Sequence, residues 1–195
     1  MTTQTIEAVV IGGSAGALEP LETILSALPP RFIPSIAVVL HVPPTTSNLL
    51  PDVLRPACAL PVMEPEDKEP VAESTVYVAA PGYHMFIEKD RRFSFSVDEL
   101  VHYSRPSVDL LFESAADAYG SALVGILLSG ANEDGAAGLA AIKDAGGRSV
   151  VQAPGPSLAR AMPEAALRHR AADHVLSPAE IGAWLAGLGA HLNEG

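Results

Sequence analysis

Gly12-Gly13-Ser14-Ala15-Gly16 matches the G-x-S-x-G pattern of a nucleophile elbow, and it follows the apolar run Ile6–Ile11. That chemistry needs a sharp strand-to-helix turn, whose backbone angles and close packing favour residues without a side chain. The turn lifts a serine hydroxyl toward a helix N-terminus, where amide N–H groups and the helix dipole stabilise an oxyanion. Two readings of Ser14 remain open from the pentapeptide alone: a nucleophile, or a helix cap among glycines that serve packing. A dinucleotide-binding turn fits poorly, because G-x-G-x-x-G requires glycine where Ser14 stands.

A serine nucleophile needs a base and a group that orients the base. His41 follows the apolar run Ile36–Leu40 and precedes Val42-Pro43-Pro44, whose prolines fix the chain direction just past the ring. A neutral imidazole is the usual acceptor of a serine proton near neutral pH, although a histidine at a strand end is also commonly a satisfied core residue. Asp134 lies in Ser129-Gly130-Ala131-Asn132-Glu133-Asp134-Gly135, a glycine-bounded loop after the apolar run Leu123–Leu128. It reads either as the carboxylate that orients His41 or as the N-cap of the helix that follows.

The elements that must position these residues form an α/β rhythm. Ile6–Ile11 reads as a buried strand, and Leu18–Leu28 has apolar residues at helical spacing until Pro29-Pro30 ends it. Ile36–Leu40 is a second buried strand, and a helix over 45–57 opens at Thr45 or Thr46. Such a βαβ unit predicts a doubly wound, mostly parallel sheet with helices on both faces. In the middle, Thr75–Ala79, His84–Glu88 and Phe93–Val97 read as short antiparallel hairpin strands added at one edge. Ser107 then caps a helix to Tyr119, and Leu123–Leu128 is a strand before the helix Gly135–Ala145. Ser149–Gln152 is a further strand, Leu158–Arg168 a helix that Pro163 should kink, and His174–Leu176 a strand before a closing helix from Pro178. In such a sheet ligands bind at the carboxyl ends of the strands, which is where Ser14, His41 and Asp134 fall. No repeat or linker divides 1–195, so one domain is expected.

Composition narrows the function class. Twelve basic against 23 acidic residues give a net charge of −11, which argues against a nucleic-acid partner. The single cysteine, Cys58, cannot form an internal disulfide and suits a reducing compartment. The first residues do not read as a signal peptide, and no apolar run reaches the roughly 18 residues of a bilayer span, so a cytoplasmic location without membrane insertion is expected. The histidines lack metal-ligand spacing, so neither a metal nor another cofactor is expected.

With these loops in view, the sequence resembles the catalytic domain of the CheB-type chemotaxis-receptor methylesterases. The likeness rests on Val9-Val10-Ile11-Gly12-Gly13-Ser14-Ala15-Gly16, Val38-Val39-Leu40-His41-Val42-Pro43-Pro44 and Val76-Tyr77-Val78-Ala79-Ala80-Pro81. It continues in Ser104-Arg105-Pro106-Ser107-Val108-Asp109-Leu110-Leu111-Phe112, in Leu127–Gly138 and in Met162-Pro163 with Ala165-Ala166. The resemblance implies an esterase that demethylates glutamyl γ-methyl esters of methylated chemoreceptors, releases methanol and also deamidates glutamines. It implies Ser14 as nucleophile, His41 as base, Asp134 as orienting acid, and the backbone amides of His41 and Ala131 as oxyanion donors. Ala131 and Asn132 stand where the family usually has methionine and glycine, and Ala153-Pro154 replaces an acidic pair often found after the glutamine. The sequence opens at the first catalytic-domain strand, so control by a phosphorylated receiver domain in the same chain is not expected. Two alternatives accompany this reading: a non-catalytic partner-binding module that keeps the fold, and an esterase for a substrate outside chemotaxis.

Overall fold

A computed structural model describes residues 5–43, 47–155 and 159–190. In chain order the elements are β1 (Ala8–Gly13), α1 (Leu18–Ser26), β2 (Ser35–Leu40), α2 (Leu50–Leu54), β3 (Val62–Met63), β4 (Val76–Val78), β5 (His84–Ile87) and β6 (Phe93–Ser96). They continue as α3 (Val108–Tyr119), β7 (Leu123–Leu127), α4 (Ala136–Asp144), β8 (Arg148–Gln152), α5 (Ala161–Arg168), β9 (His174–Leu176) and α6 (Pro178–Ala190). Seven strands make one sheet in the order β3-β4-β2-β1-β7-β8-β9, and every pairing in it is parallel.

The two faces of β1 show why the sheet is covered on both sides. Val9 and Ile11 pack into a core with α1 and α6, whereas Ala8 and Val10 face the core built by α3, α4 and α5. Every residue of β1 and β2 is buried, so an alternating polar face is absent and the strands read as continuous apolar runs. From β1 the chain builds toward β2, and from β7 it builds the other way toward β8. The carboxyl ends of β1 and β7 therefore flank a topological switch point, where connecting loops splay apart and leave a crevice.

Three expectations change. Thr75–Ala79 is not a hairpin strand: β4 lies between β2 and β3 and pairs parallel to both, because Val76, Tyr77 and Val78 are all buried and need cover on both faces. The antiparallel pair is β5 with β6, which forms a sheet of its own. Its Met85, Ile87 and Phe93 pack into the α3 side of the core, and Ile87 N–H donates to Ser114 Oγ of α3 at 3.1 Å. Pro163 does not kink its helix, since α5 starts at Ala161 and the proline falls in the first turn, where no intrahelical N–H is needed. The helix of 45–57 is reduced to α2 with a 3-10 turn over Arg55–Ala57, and Thr45 and Thr46 lie outside the described residues. No helix among the described residues is long and apolar enough to cross a membrane.

Candidate active site

Ser14 begins the turn that leaves β1. Its N–H donates to Ser129 O at 2.9 Å, which ties the turn to the loop after β7, and its carbonyl accepts from Ala17 N–H at 3.1 Å. A Cβ on Gly13 would come within 2.6 Å of Ala17 Cβ, and Gly16 has φ +77°, so both glycines are required by the turn itself. Helix α1 starts at Leu18 after Ala17, with no side-chain cap. Ser14 is therefore not a helix cap; its hydroxyl is half-exposed and bonds to none of the described residues.

His41 follows the last residue of β2. Its Nε2 lies 2.8 Å from Asp134 Oδ2, and its Nδ1 lies 3.2 Å from Ser104 Oγ. Asp134 is fully buried, and each oxygen takes two donors. Oδ2 accepts from His41 Nε2 and from Val108 N–H at 2.7 Å, while Oδ1 accepts from Ser107 Oγ and Asp109 N–H, both at 2.9 Å. Burial pushes its carboxyl up, but the hydrogen bonds from His41 and the Asp109 and Val108 amides outweigh that and hold it below the usual range. An ionised Asp134 fixes the His41 tautomer: Nε2 carries the proton, and Nδ1 presents its lone pair to a hydroxyl.

The alternative reading of Asp134, as cap of its own helix, is replaced by an exchange between two helices. Asp134 precedes α4 yet accepts from the N-terminus of α3, whereas Asp109 in the first turn of α3 accepts from Gly135 and Gly138 N–H at the start of α4, at 2.9 and 2.7 Å. Each carboxylate thus meets the orphan amides and positive end of the other's helix. His84, fully buried in β5, extends this support by accepting from Ser107 N–H at Nδ1 (3.1 Å) and donating from Nε2 to Glu99 O (2.9 Å). Ser104, Ser107, His84 and Asp109 carry no sign of a part in the chemistry in the sequence, beyond the presence of three of them in the Ser104–Phe112 block. Nothing in linear spacing links Asp109 or Ser107 to a carboxylate 25 or more residues away.

Asp109 provides a measurable consequence. Burial is the largest effect on its carboxyl; despite the Gly138 amide, burial and the charge of Asp134 push it up to about 6. His102 acts in the opposite direction and Glu113 adds to the rise. Because the folded pKa exceeds the unfolded value, the folded state binds more protons between about pH 4 and about pH 6. This group's contribution to stability therefore declines as pH rises through that window. In Asp109→Asn that term is removed, and the stability difference between mutant and wild type moves in the mutant's favour by on the order of 1–3 kcal/mol from about pH 4.5 to about pH 7. Urea unfolding at the two pH values measures it; a difference that does not change would show the carboxyl to titrate alike folded and unfolded.

The loop after β7 is held from below and above. Ser129 N–H donates to Gln152 Oε1 at 2.9 Å, Gly130 N–H to Ala159 O at 2.9 Å, and a Cβ on Gly130 would overlap Met162. Asn132 spans the loop, accepting from Asp134 N–H at 3.1 Å and donating from Nδ2 to His102 O at 3.2 Å. Ala131 is exposed, and its N–H bonds to no acceptor among the described residues. The His41 amide differs from expectation: it donates to Gly13 O at 3.1 Å, continuing the β1–β2 ladder by one rung, so it is already committed.

His102, Asp109 and Asp134 bring ligand-type atoms within 4.8 Å of one another. Both Asp134 oxygens and Asp109 Oδ1 already accept N–H or O–H donors, which a cation would have to displace. The arrangement is that of carboxylates satisfied by helix termini, with His102 Nε2 3.4 Å from Asp109 Oδ2.

The sequence matches the CheB methylesterase family over residues 9–185. It is 44% identical over 175 residues to a Leptospira interrogans protein (serovar copenhageni) provisionally named protein-glutamate methylesterase/protein-glutamine glutaminase, covering 90% of this chain and 91% of that one. It is 37% identical over 185 residues to protein-glutamate methylesterase/protein-glutamine glutaminase 2 of Methanospirillum hungatei, covering 95% of this chain and 53% of that one. Among solved structures, the crystal structure of the Thermotoga maritima CheB methylesterase catalytic domain superposes with a TM-score of 0.89 at 30% identity, over 94% of this chain and 99% of that chain.

Proposed function

This chain belongs to the CheB methylesterase family, and on that premise we propose that it hydrolyses glutamyl γ-methyl esters on chemoreceptor proteins, releasing methanol, and deamidates glutamines at such sites. The observation that supports a Ser-His-Asp mechanism is the 2.8 Å bond between His41 Nε2 and the buried, ionised Asp134; Ser14 follows the carboxyl end of β1, the strand paired with the one that ends just before His41. Ser14 Oγ attacks the ester carbonyl while His41 Nδ1 takes its proton. The tetrahedral oxyanion is met by the uncommitted Ala131 amide. Collapse expels methanol, which receives the proton from His41, and water then attacks the acyl-serine with the same base to leave a glutamate carboxylate. Asp134 stays ionised throughout and stabilises the imidazolium. Cys58, the single cysteine of the chain, is a free thiol, which fits a reducing compartment and supports a cytoplasmic reading.

Incubating the chain with receptor carrying isotopically labelled methyl esters tests the proposal. Labelled methanol is expected to appear in proportion to enzyme. Cleavage of small esters without release from receptor would redirect the reading to another substrate, and inertness toward both would make the chain a binding module.

A further inference from the structure

Arg105 lines the cavity beside His41. The cavity has a volume of about 460 Å³, and its walls are His41, Val42, Pro43, Leu100, Tyr103, Ser104 and Arg105. The guanidinium is held in place without a charge partner: Nη1 donates to Val97 O at 2.7 Å and to Asp98 O at 2.8 Å. The Asp98 carboxylate is turned elsewhere and accepts from Ser96 Oγ. In a chain with 23 acidic and 12 basic residues, five of the nine arginines pair with a carboxylate, namely Arg55, Arg91, Arg92, Arg160 and Arg168. Among the described residues Arg105 has none, and its Nη2 is not engaged.

An oriented, half-buried guanidinium with unused donors is suited to a planar oxyanion, and its charge is screened less than that of a fully exposed side chain. The ester itself is neutral, so the hydrolysed group cannot supply the counter-charge. A strongly acidic protein also repels an acidic substrate unless a local cation offsets the field at the cleft.

We propose that Arg105 is a specificity-determining residue, binding a carboxylate on the same peptide as the scissile ester and thereby selecting acidic segments. The inference rests on the methylesterase reading and names which substrates that site prefers. Its exposed neighbours Leu100 and Tyr103 supply apolar contact for the rest of such a segment.

The test uses two synthetic peptides carrying a glutamyl γ-methyl ester, one flanked by glutamates and the other by glutamines at the same positions. Wild type is expected to show a kcat/KM about tenfold higher on the acidic peptide at low salt, expressed mainly in KM. In Arg105→Gln the ratio between the two peptides collapses toward one, and in Arg105→Lys it is partly kept. A loss of packing lowers both rates together and cancels in the ratio. An unchanged ratio in Arg105→Gln, or no preference in wild type, would overturn the assignment. Failure of wild type to cleave either peptide would instead remove the methylesterase reading on which it rests.

Discussion

Replacing Ser14 with alanine is expected to lower methanol release by about ten-thousand-fold or more while leaving the fold as stable as wild type. The first half follows from removing the one side-chain atom that bonds covalently to the substrate carbonyl in the proposed mechanism. The second follows from the surroundings of the hydroxyl, which is half-exposed and bonds to none of the described residues. Its loss opens no buried hydrogen bond, so the change in unfolding free energy should stay within about 0.5 kcal/mol. Ser104 gives the experiment its discriminating control, because its Oγ already sits 3.2 Å from His41 Nδ1. Ser104→Ala is expected to retain activity within a few-fold, since it only frees the base. If the two variants exchanged behaviour, the nucleophile would be Ser104 and the G-x-S-x-G turn a scaffold. Methanol assays on both variants, with thermal unfolding of each, settle the assignment.

The positions of Ser14, His41 and Asp134 were legible because each is a polar residue, or lies in a polar loop, just after a continuous apolar run. Strands buried on both faces advertise themselves in this way, and a parallel sheet gathers their carboxyl ends on one side. The same logic applied consistently would have put Val76–Val78 in the parallel sheet. The turn residues Pro81-Gly82 just beyond it imitate a hairpin and mask that signal. The partners of Asp134 were not legible. Reciprocal capping between α3 and α4 depends on how two helices pack, and linear spacing carries no sign of it. Likewise, the commitment of the His41 amide to Gly13 follows from the parallel register of β1 and β2, which sequence patterns do not specify. Arg105 was visible as part of a motif, but its lack of a carboxylate partner is a property of three-dimensional neighbours alone.

Asp134→Asn is expected to impair both chemistry and stability, in contrast to Ser14→Ala. An amide offers one acceptor oxygen where the carboxylate offers two, and its NH2 group must face donors on one side. Turned toward His41, the NH2 opposes the protonated Nε2 and favours the wrong tautomer, a change that costs about ten-thousand-fold in kcat in analogous triads. Turned the other way, it opposes the Ser107 hydroxyl and the Asp109 N–H at the start of α3. Either rotamer leaves buried donors unpaired, so a loss on the order of 2–4 kcal/mol in stability accompanies the loss of activity. The pH dependence separates this from simple misfolding. In wild type the folded pKa of Asp134 lies below the unfolded value, so its stabilisation is complete above the ordinary carboxyl range and disappears as pH falls beneath it. The asparagine variant lacks that acid-sensitive step, and its deficit relative to wild type should shrink as the pH is lowered below about 4. Denaturant unfolding across that range, with kcat measured well below the variant's Tm, reads both effects. A variant that kept wild-type stability would mean that the carboxylate does not bind the α3 amides. One that kept activity would mean that His41 needs no ionised partner to act as the base.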